Sequence, residues 1–163
     1  MVDPHEPTAT RVLTFRLLAE NFGSRYHVDP ALVLAVIHME SGGDPDAYRA
    51  EPSVHDASFG LMQLLAGTAR GMGFTGPVKA LFDPPTNIEL GVRDLAGGIH
   101  DYGDPWLALI DYNGGPGAVR WYRLGWKLGP AVHYANVVWA LFAYYQRRLK
   151  DLETQAAQAA AKT

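Results

Sequence analysis

The stretch Ala31-Leu-Val-Leu-Ala-Val-Ile-His-Met-Glu40, followed at once by Ser41-Gly-Gly-Asp-Pro45, decides how this chain is read. It is apolar nearly all the way round a 3.6-residue turn, so it predicts a buried central helix over 30 to 40 rather than a surface one. Glu40 closes that helix. An ionised carboxylate buried there is costly unless paired, and the backbone dipole at a helix C-terminus also disfavours negative charge. Both effects push the pKa upward, which is how a general acid is made. Taken alone, the same residue also reads as a solvated helix-end carboxylate.

Working outward, Asp-Pro pairs punctuate the chain: Asp29-Pro30, Asp83-Pro84 and Asp104-Pro105 each precede an apolar-periodic segment. Aspartate accepts hydrogen bonds from orphan helix N–H groups, and proline at the first helical position loses no needed donor. The spacing predicts helices over 8 to 22, 30 to 40, 58 to 70, 84 to 101, 105 to 112, 116 to 124 and 130 to about 155. Gly42-Gly43, Gly71/Gly73 and Gly114-Gly115 supply stops. No stretch alternates apolar and polar residues for long beside a hairpin turn, so the fold class expected is mainly α. Residues 153 to 163 carry little large apolar surface and are expected to form a fraying tail, or a link to a further segment, after a domain spanning 1 to 152.

A chain of 163 residues, 48% of them hydrophobic, can bury one core and is too short to favour two domains. The net charge of -3 gives no general electrostatic case for nucleic acid or an anionic membrane. The local basic groups Arg120/Arg123/Lys127 and Arg147/Arg148/Lys150 read as solvated helix faces. Without cysteine, neither disulfides nor thiolate metal sites hold the fold, and the redox compartment is not legible. The start lacks the basic and apolar regions of a signal peptide, and the longest apolar run is too short to span a bilayer.

Three segments put polar groups where packing alone would not ask for them: Glu40-Ser41, Ser58-Phe-Gly-Leu-Met-Gln63 and Asp111-Tyr-Asn-Gly-Gly-Pro-Gly117. Gln63 sits within the apolar series Leu61, Met62, Leu64, Leu65, and a buried amide must find hydrogen-bond partners. Tyr112 and Asn113 end a short helix, where glycines let a ligand or another backbone approach closely. The tryptophans Trp106, Trp121, Trp126 and Trp139 could stack on flat ligands but read first as core residues. His38 and His55 stand near Asp44, Asp46 and Asp56 without HExxH or similar ligand spacing. No metal and no cofactor are expected, and His38 reads as a packed histidine.

The order and wording of these segments resemble the soluble (SLT, goose-lysozyme-like) lytic transglycosylases. The resemblance rests on Glu40-Ser41, Asp44-Pro45-Asp46-Ala47, Gly60-Leu-Met-Gln63 with Thr68-Ala69, Asn87-Ile88-Glu-Leu-Gly91 and Asp111-Tyr-Asn-Gly-Gly-Pro-Gly117, and covers roughly residues 28 to 140. It implies a lysozyme-like single α-domain whose cleft binds peptidoglycan glycan strands and cuts the β-1,4 bond between N-acetylmuramic acid and N-acetylglucosamine. Glu40 takes the family's catalytic position, as acid and then base, with closure of a 1,6-anhydro ring. By the same resemblance Ser41 orients the carboxyl, and Ser58, Gln63, Leu65 and Asn113 are substrate-binding. Tyr112 and Tyr134 lie against Glu40.

The chain also departs from the pattern. Pro130-Ala131 replaces a Glu-Thr pair before Tyr134, Arg49 stands where serine is common, and Asp111 replaces a small residue. That last carboxylate could raise the pKa of Glu40 further or cap a surface position. Two other readings remain: a muramidase whose water is held by Asp44, Asp46 or Asp56, and a catalytically silent wall-binding module. A monomer acting on the cell wall is expected, reaching it by holin passage, virion delivery or a missing export segment, without membrane insertion.

Overall fold

The computed structural model describes residues 6 to 162, so residues 1 to 5 and 163 of the expected domain and tail lie outside it. In chain order come helices α1 (Glu6–Leu13), α2 (Arg16–Tyr26) and α3 (Pro30–Ser41), then strands β1 (Tyr48–Glu51), β2 (Asp56–Phe59) and β3 (Leu64–Leu65). Helices α4 (Ala66–Gly71), α5 (Pro84–Tyr102), α6 (Pro105–Arg123) and α7 (Pro130–Ala160) follow.

Helix α3 is the centre of the fold. The Asp29 carboxylate accepts from the Ala31 N–H at 2.8 Å, Pro30 occupies the first turn, and residues 31 to 37 are buried without interruption. Burial on every side means that neighbours surround the helix, and α1, α2 and α7 supply them. Each fully buried Leu, Val or Ile contributes roughly 1.5–3 kcal/mol, so this one helix anchors the main core. The other two Asp-Pro starts also hold: Asp83 accepts from the Thr86 N–H and Asp104 from the Trp106 N–H.

The single helix expected over 8 to 22 is instead two. The Thr14 hydroxyl bonds back to the Arg11 carbonyl at 2.7 Å, and the Phe15 N–H closes a tight turn on Val12, which ends α1. The break turns α1 across the end of α3, where Arg11 Nε donates to the Gly42 carbonyl at 2.6 Å.

A second difference concerns residues 58 to 70, expected as a helix. They form β2, a four-residue turn, β3 and the short α4, within an antiparallel sheet ordered β1-β2-β3. Arg49 pairs with Ser58, Glu51 with Asp56, and Phe59 with Leu64. The turn Gly60-Leu-Met-Gln63 places Gly60 at φ 69 and Gln63 at φ 46, which no right-handed helix contains. Leu61 and Met62 tuck beneath it, fully buried. Buried Asn87 on α5 clamps the turn: its Oδ1 accepts from the Met62 N–H at 2.8 Å, while Nδ2 donates to the carbonyls of Phe59 (2.8 Å) and Leu81 (2.7 Å). The apolar spacing of 58 to 65 fits a helix, but the long-range clamp decides for the hairpin.

Helix α6 breaks at Gly115 (φ 70, ψ 177), close to the expected gap between 112 and 116. Its second half folds back, since the rings of Trp106 and Tyr122 lie only 4.9 Å apart despite fifteen residues between them. Helix α7 presents Ala131, Tyr134, Ala135, Val138, Leu141 and Tyr145 as a buried stripe. Its Tyr145 hydroxyl meets His38 Nδ1 at 2.8 Å, in line with a packed histidine. Residues 153 to 162 continue as exposed helix or turn. The core reading of the tryptophans fails for Trp121, Trp126 and Trp139, which no other element among the described residues covers at the α6–α7 corner or on the outer face of α7; Trp106 is half-buried. Among the described residues no helix is long and apolar enough to cross a membrane.

Candidate active site

A smaller core under the sheet, built from Phe59, Leu64, Ala69, Leu81 and Leu90, stands apart from the main helical core. A groove runs between the sheet and the Tyr112–Pro116 corner of α6. Its inner part is a cavity of about 230 Å³ lined by Glu40, Arg49, Glu51, Ser58, Gln63, Leu65, Tyr112 and Asn113, among others. A second cavity of about 420 Å³ shares Val54, Leu65, Tyr112 and Asn113 with the first and reaches Asp94 and Asp111, so the two form one continuous groove.

Glu40, next to last on α3, is raised from an ordinary 4.5 to about 7. Burial is the main cause. The Tyr134 hydroxyl, which donates to Glu40 Oε1 at 2.7 Å, and the Arg49 charge pull the value down, while Glu51 raises it. With Oε1 occupied as an acceptor, the proton of the neutral acid belongs on Oε2. Such a carboxyl is about half protonated at neutral pH and can both give and take a proton there.

Six of the eight site residues expected from sequence therefore line one cavity: Glu40, Ser58, Gln63, Leu65, Tyr112 and Asn113. Tyr134 reaches Glu40 from α7 behind it. Ser41 is engaged elsewhere: its hydroxyl donates to the Leu61 carbonyl at 2.8 Å and accepts from the Gly43 N–H. It ties the end of α3 to the hairpin turn, and so sets where Glu40 stands.

Gln63 is held by its own amide, whose Nε2 donates to the carbonyls of Ala47 and Gly60, each at 3.0 Å. Both hydrogens are used, and what remains for a ligand is the acceptor oxygen. Tyr112 donates to the Met62 carbonyl at 2.8 Å, which seats its ring between the turn and the groove. The buried Ser58 hydroxyl donates to Glu51 Oε1 at 3.2 Å.

Glu51 and Arg49 form an ion pair and belong to this cavity, yet sequence reading missed Glu51 altogether and noted Arg49 only as a departure. Their i, i+2 spacing on β1 puts both on one face of the strand. That signal is usable only once a strand is recognised. Asp94 was also missed; burial, and secondarily Asp111, raise it to about 6. Asp111 thus acts on Asp94 in the outer cavity, and the like charge felt by Glu40 is that of Glu51.

Asp44, Asp46 and Asp56 do not line the groove. Asp44 and Asp56 are used as local caps, Asp44 Oδ1 accepting from the Asp46 N–H and Asp56 from the N–H groups of Ala57 and Gly67. Among the described residues no group of three or more His, Asp or Glu could hold a metal ion.

A family model described as the transglycosylase SLT domain matches residues 18 to 125. A protein of Enterobacteria phage PRD1 named transglycosylase is 37% identical over 98 residues, covering 60% of this chain and 34% of its own length. The endo-type membrane-bound lytic murein transglycosylase A of Salmonella paratyphi B is 31% identical over 129 residues, or 70% of this chain and 61% of that protein. The chain therefore spans less than two thirds of either relative.

Among solved structures, the 70 kDa soluble lytic transglycosylase of Escherichia coli superposes with a TM-score of 0.70 at 26% identity, over 84% of this chain and 25% of that one. An inactive mutant of lytic transglycosylase Slt from Pseudomonas aeruginosa gives 0.74 at 24% identity, over 85% and 25%. The latter likeness speaks to the fold alone.

Proposed function

The chain belongs to the transglycosylase SLT domain family, and from that premise we propose that it cleaves the β-1,4 bond between N-acetylmuramic acid and N-acetylglucosamine in peptidoglycan, with Glu40 as acid and then base. The observation that carries this reading is the Glu40 carboxyl itself, raised to about 7 at the floor of a groove and held at one oxygen by Tyr134.

In the first step Glu40 Oε2 gives its proton to the glycosidic oxygen as the C1–O bond breaks, and the muramoyl N-acetyl group stabilises the developing cation. This substrate-assisted route departs from the two-carboxylate scheme. In the second, the muramoyl 6-hydroxyl attacks C1 and its proton returns to Glu40, which closes a 1,6-anhydro ring and consumes no water. Gln63 Oε1 accepts from a sugar N–H or hydroxyl, Asn113 binds at the rim, and Leu65 packs against a ring. On this reading the domain acts on the cell wall as a monomer, and the helix after Leu152 takes no part in the chemistry.

Glu51 favours a second reading, hydrolysis of the same bond, because it places a second carboxylate in the Glu40 cavity where a water could be held. Mass spectrometry of peptidoglycan digested in water enriched in oxygen-18 decides between them. Anhydromuramoyl ends without label support the transglycosylase, and labelled reducing ends overturn it. Unchanged clearing of cell-wall suspensions by Glu40→Gln would remove Glu40 from both readings.

A further inference from the structure

The corner between α6 and α7 has a chemistry that the groove does not use. Trp121 is 56% exposed, Leu124 64%, Trp126 67% and Leu128 90%. The rings of Trp121 and Trp126 lie 5.5 Å apart, and an apolar cavity of about 350 Å³ runs from them to the first turn of α7 at Pro130 to Val132. Soluble proteins seldom leave so large an apolar patch open without a use for it.

Cations are interleaved with these side chains. Arg120, Arg123 and Lys127 are all exposed, and none joins an ion pair among the described residues. From Tyr112 to Lys150 the sequence holds Arg120, Arg123, Lys127, Arg147, Arg148 and Lys150 and no Asp or Glu, although the whole chain carries -3. Asp101 and Asp111 act on Tyr102, the ring beneath Arg123. Lys127 lies 3.5 Å over the Tyr122 ring, which holds the ammonium beside the aromatic surface without neutralising it.

We propose that this corner is a peripheral membrane-binding surface for a bilayer bearing anionic headgroups. Trp121, Trp126 and Leu128 enter the interfacial layer, and Arg120 and Lys127 lie against the phosphates. Indole rings are suited to that boundary, and basic residues each add attraction to an anionic surface. A sugar is a poorer occupant: the cavity is walled by Ala118, Pro130, Ala131 and Val132 beside the rings, so a pyranose laid there would leave hydroxyls unpaired. Leu128, an aliphatic tip almost wholly in solvent, suits a fluid apolar phase that needs no matching pocket.

The placement has a consequence for the groove. Gly114 on the groove rim packs against Ala131, with no room for a side chain between them, and Tyr134 follows one turn later on α7. Adsorption at the corner therefore holds the Glu40 cleft within a few residues of the membrane plane, where glycan nearest the bilayer is reached.

Flotation of the full chain with phosphatidylglycerol–phosphatidylethanolamine vesicles, against phosphatidylcholine vesicles, tests this. Binding is expected only to the anionic vesicles, with a blue shift of tryptophan emission. Arg120→Glu with Lys127→Glu, and separately Leu128→Asp, are expected to lower partitioning at least about tenfold without changing Tm. No preference for anionic vesicles, or equal binding by the variants, overturns the proposal. So does loss of binding to isolated glycan strands in Trp121→Ala/Trp126→Ala when vesicles are not bound at all, or a dimer abolished by Leu128→Asp under the same condition. The vesicles carry no glycan, so Glu40→Gln should bind them like the wild type, and either outcome leaves the reading of Glu40 untouched.

Discussion

The Tyr134 hydroxyl donates a 2.7 Å hydrogen bond to Glu40 Oε1 and joins α7 to the end of α3. The bond favours the charged carboxylate and so works against burial, which is the larger influence. Tyr134→Phe should therefore raise the Glu40 pKa above about 7 and shift the alkaline limb of the kcat/KM profile to higher pH. Loss of orientation should lower kcat by roughly tenfold. A pH profile that superposes on the wild type's would show that the bond has no part in the chemistry.

Glu40→Gln should lower activity at least about a hundredfold, the range expected for loss of a general acid. Stability moves the other way. The wild-type carboxyl has a folded pKa of about 7 against an ordinary 4.5, so its neutral form contributes fully below about 4.5, and that contribution is lost as pH rises through 7. Glutamine cannot ionise. Urea unfolding should find the variant equal to the wild type at pH 4 and more stable at pH 8 by up to about 3 kcal/mol. Equal stability at both values would mean that the carboxylate is solvated.

Asp94→Asn should behave similarly over a lower window, because Asp94 is raised from 3.8 to about 6 by burial and by Asp111. Its stabilising effect should be absent near pH 3 and complete by pH 7. Asp94 has no part in the Glu40 shift, so the Glu40 limb of the rate profile should stay in place. A displaced limb would reveal coupling along the groove.

Asn87→Leu removes the clamp on the hairpin turn. It leaves the Met62 N–H and the carbonyls of Phe59 and Leu81 buried and without their partner. At about 1–3 kcal/mol for each unsatisfied group, the variant should lose more than about 3 kcal/mol in denaturant titration. A loss below 1 kcal/mol would contradict the clamp.

Two glycines of α5 should respond with opposite signs to alanine. A Cβ at Gly97 meets nothing within 4 Å, so Gly97→Ala should stabilise by about 0.5–1 kcal/mol through helix propensity. A Cβ at Gly91 would stand 2.5 Å from Met62 Sδ and 2.9 Å from Met62 Cβ. Gly91→Ala should destabilise by about 1–3 kcal/mol and disturb the turn that seats Tyr112. Thermal unfolding of the pair reads both signs.

Helix α3 was legible in full, since Asp29, Pro30 and the apolar run act within a turn or two of one another. The starts at Asp83 and Asp104 were legible for the same reason. The hairpin was not, because Leu61, Met62, Leu64 and Leu65 satisfy a helical period, and Asn87, twenty-five residues beyond Met62, settles the matter. The exposure of Trp121 and Trp126 was equally hidden, as large aromatics look alike in sequence whether or not a neighbour covers them.

By itself the sequence determined that an uncharged helix ends in one acid, and which polar segments accompany it, because caps, breaks and periodicity are set by residues close along the chain. Only the tertiary structure decided what that acid feels. Tyr134, Arg49 and Glu51 reach Glu40 from other elements, and Gln63 spends both amide hydrogens on its own hairpin. Desolvation and Coulomb effects depend on distance through space, which separation along the chain does not encode.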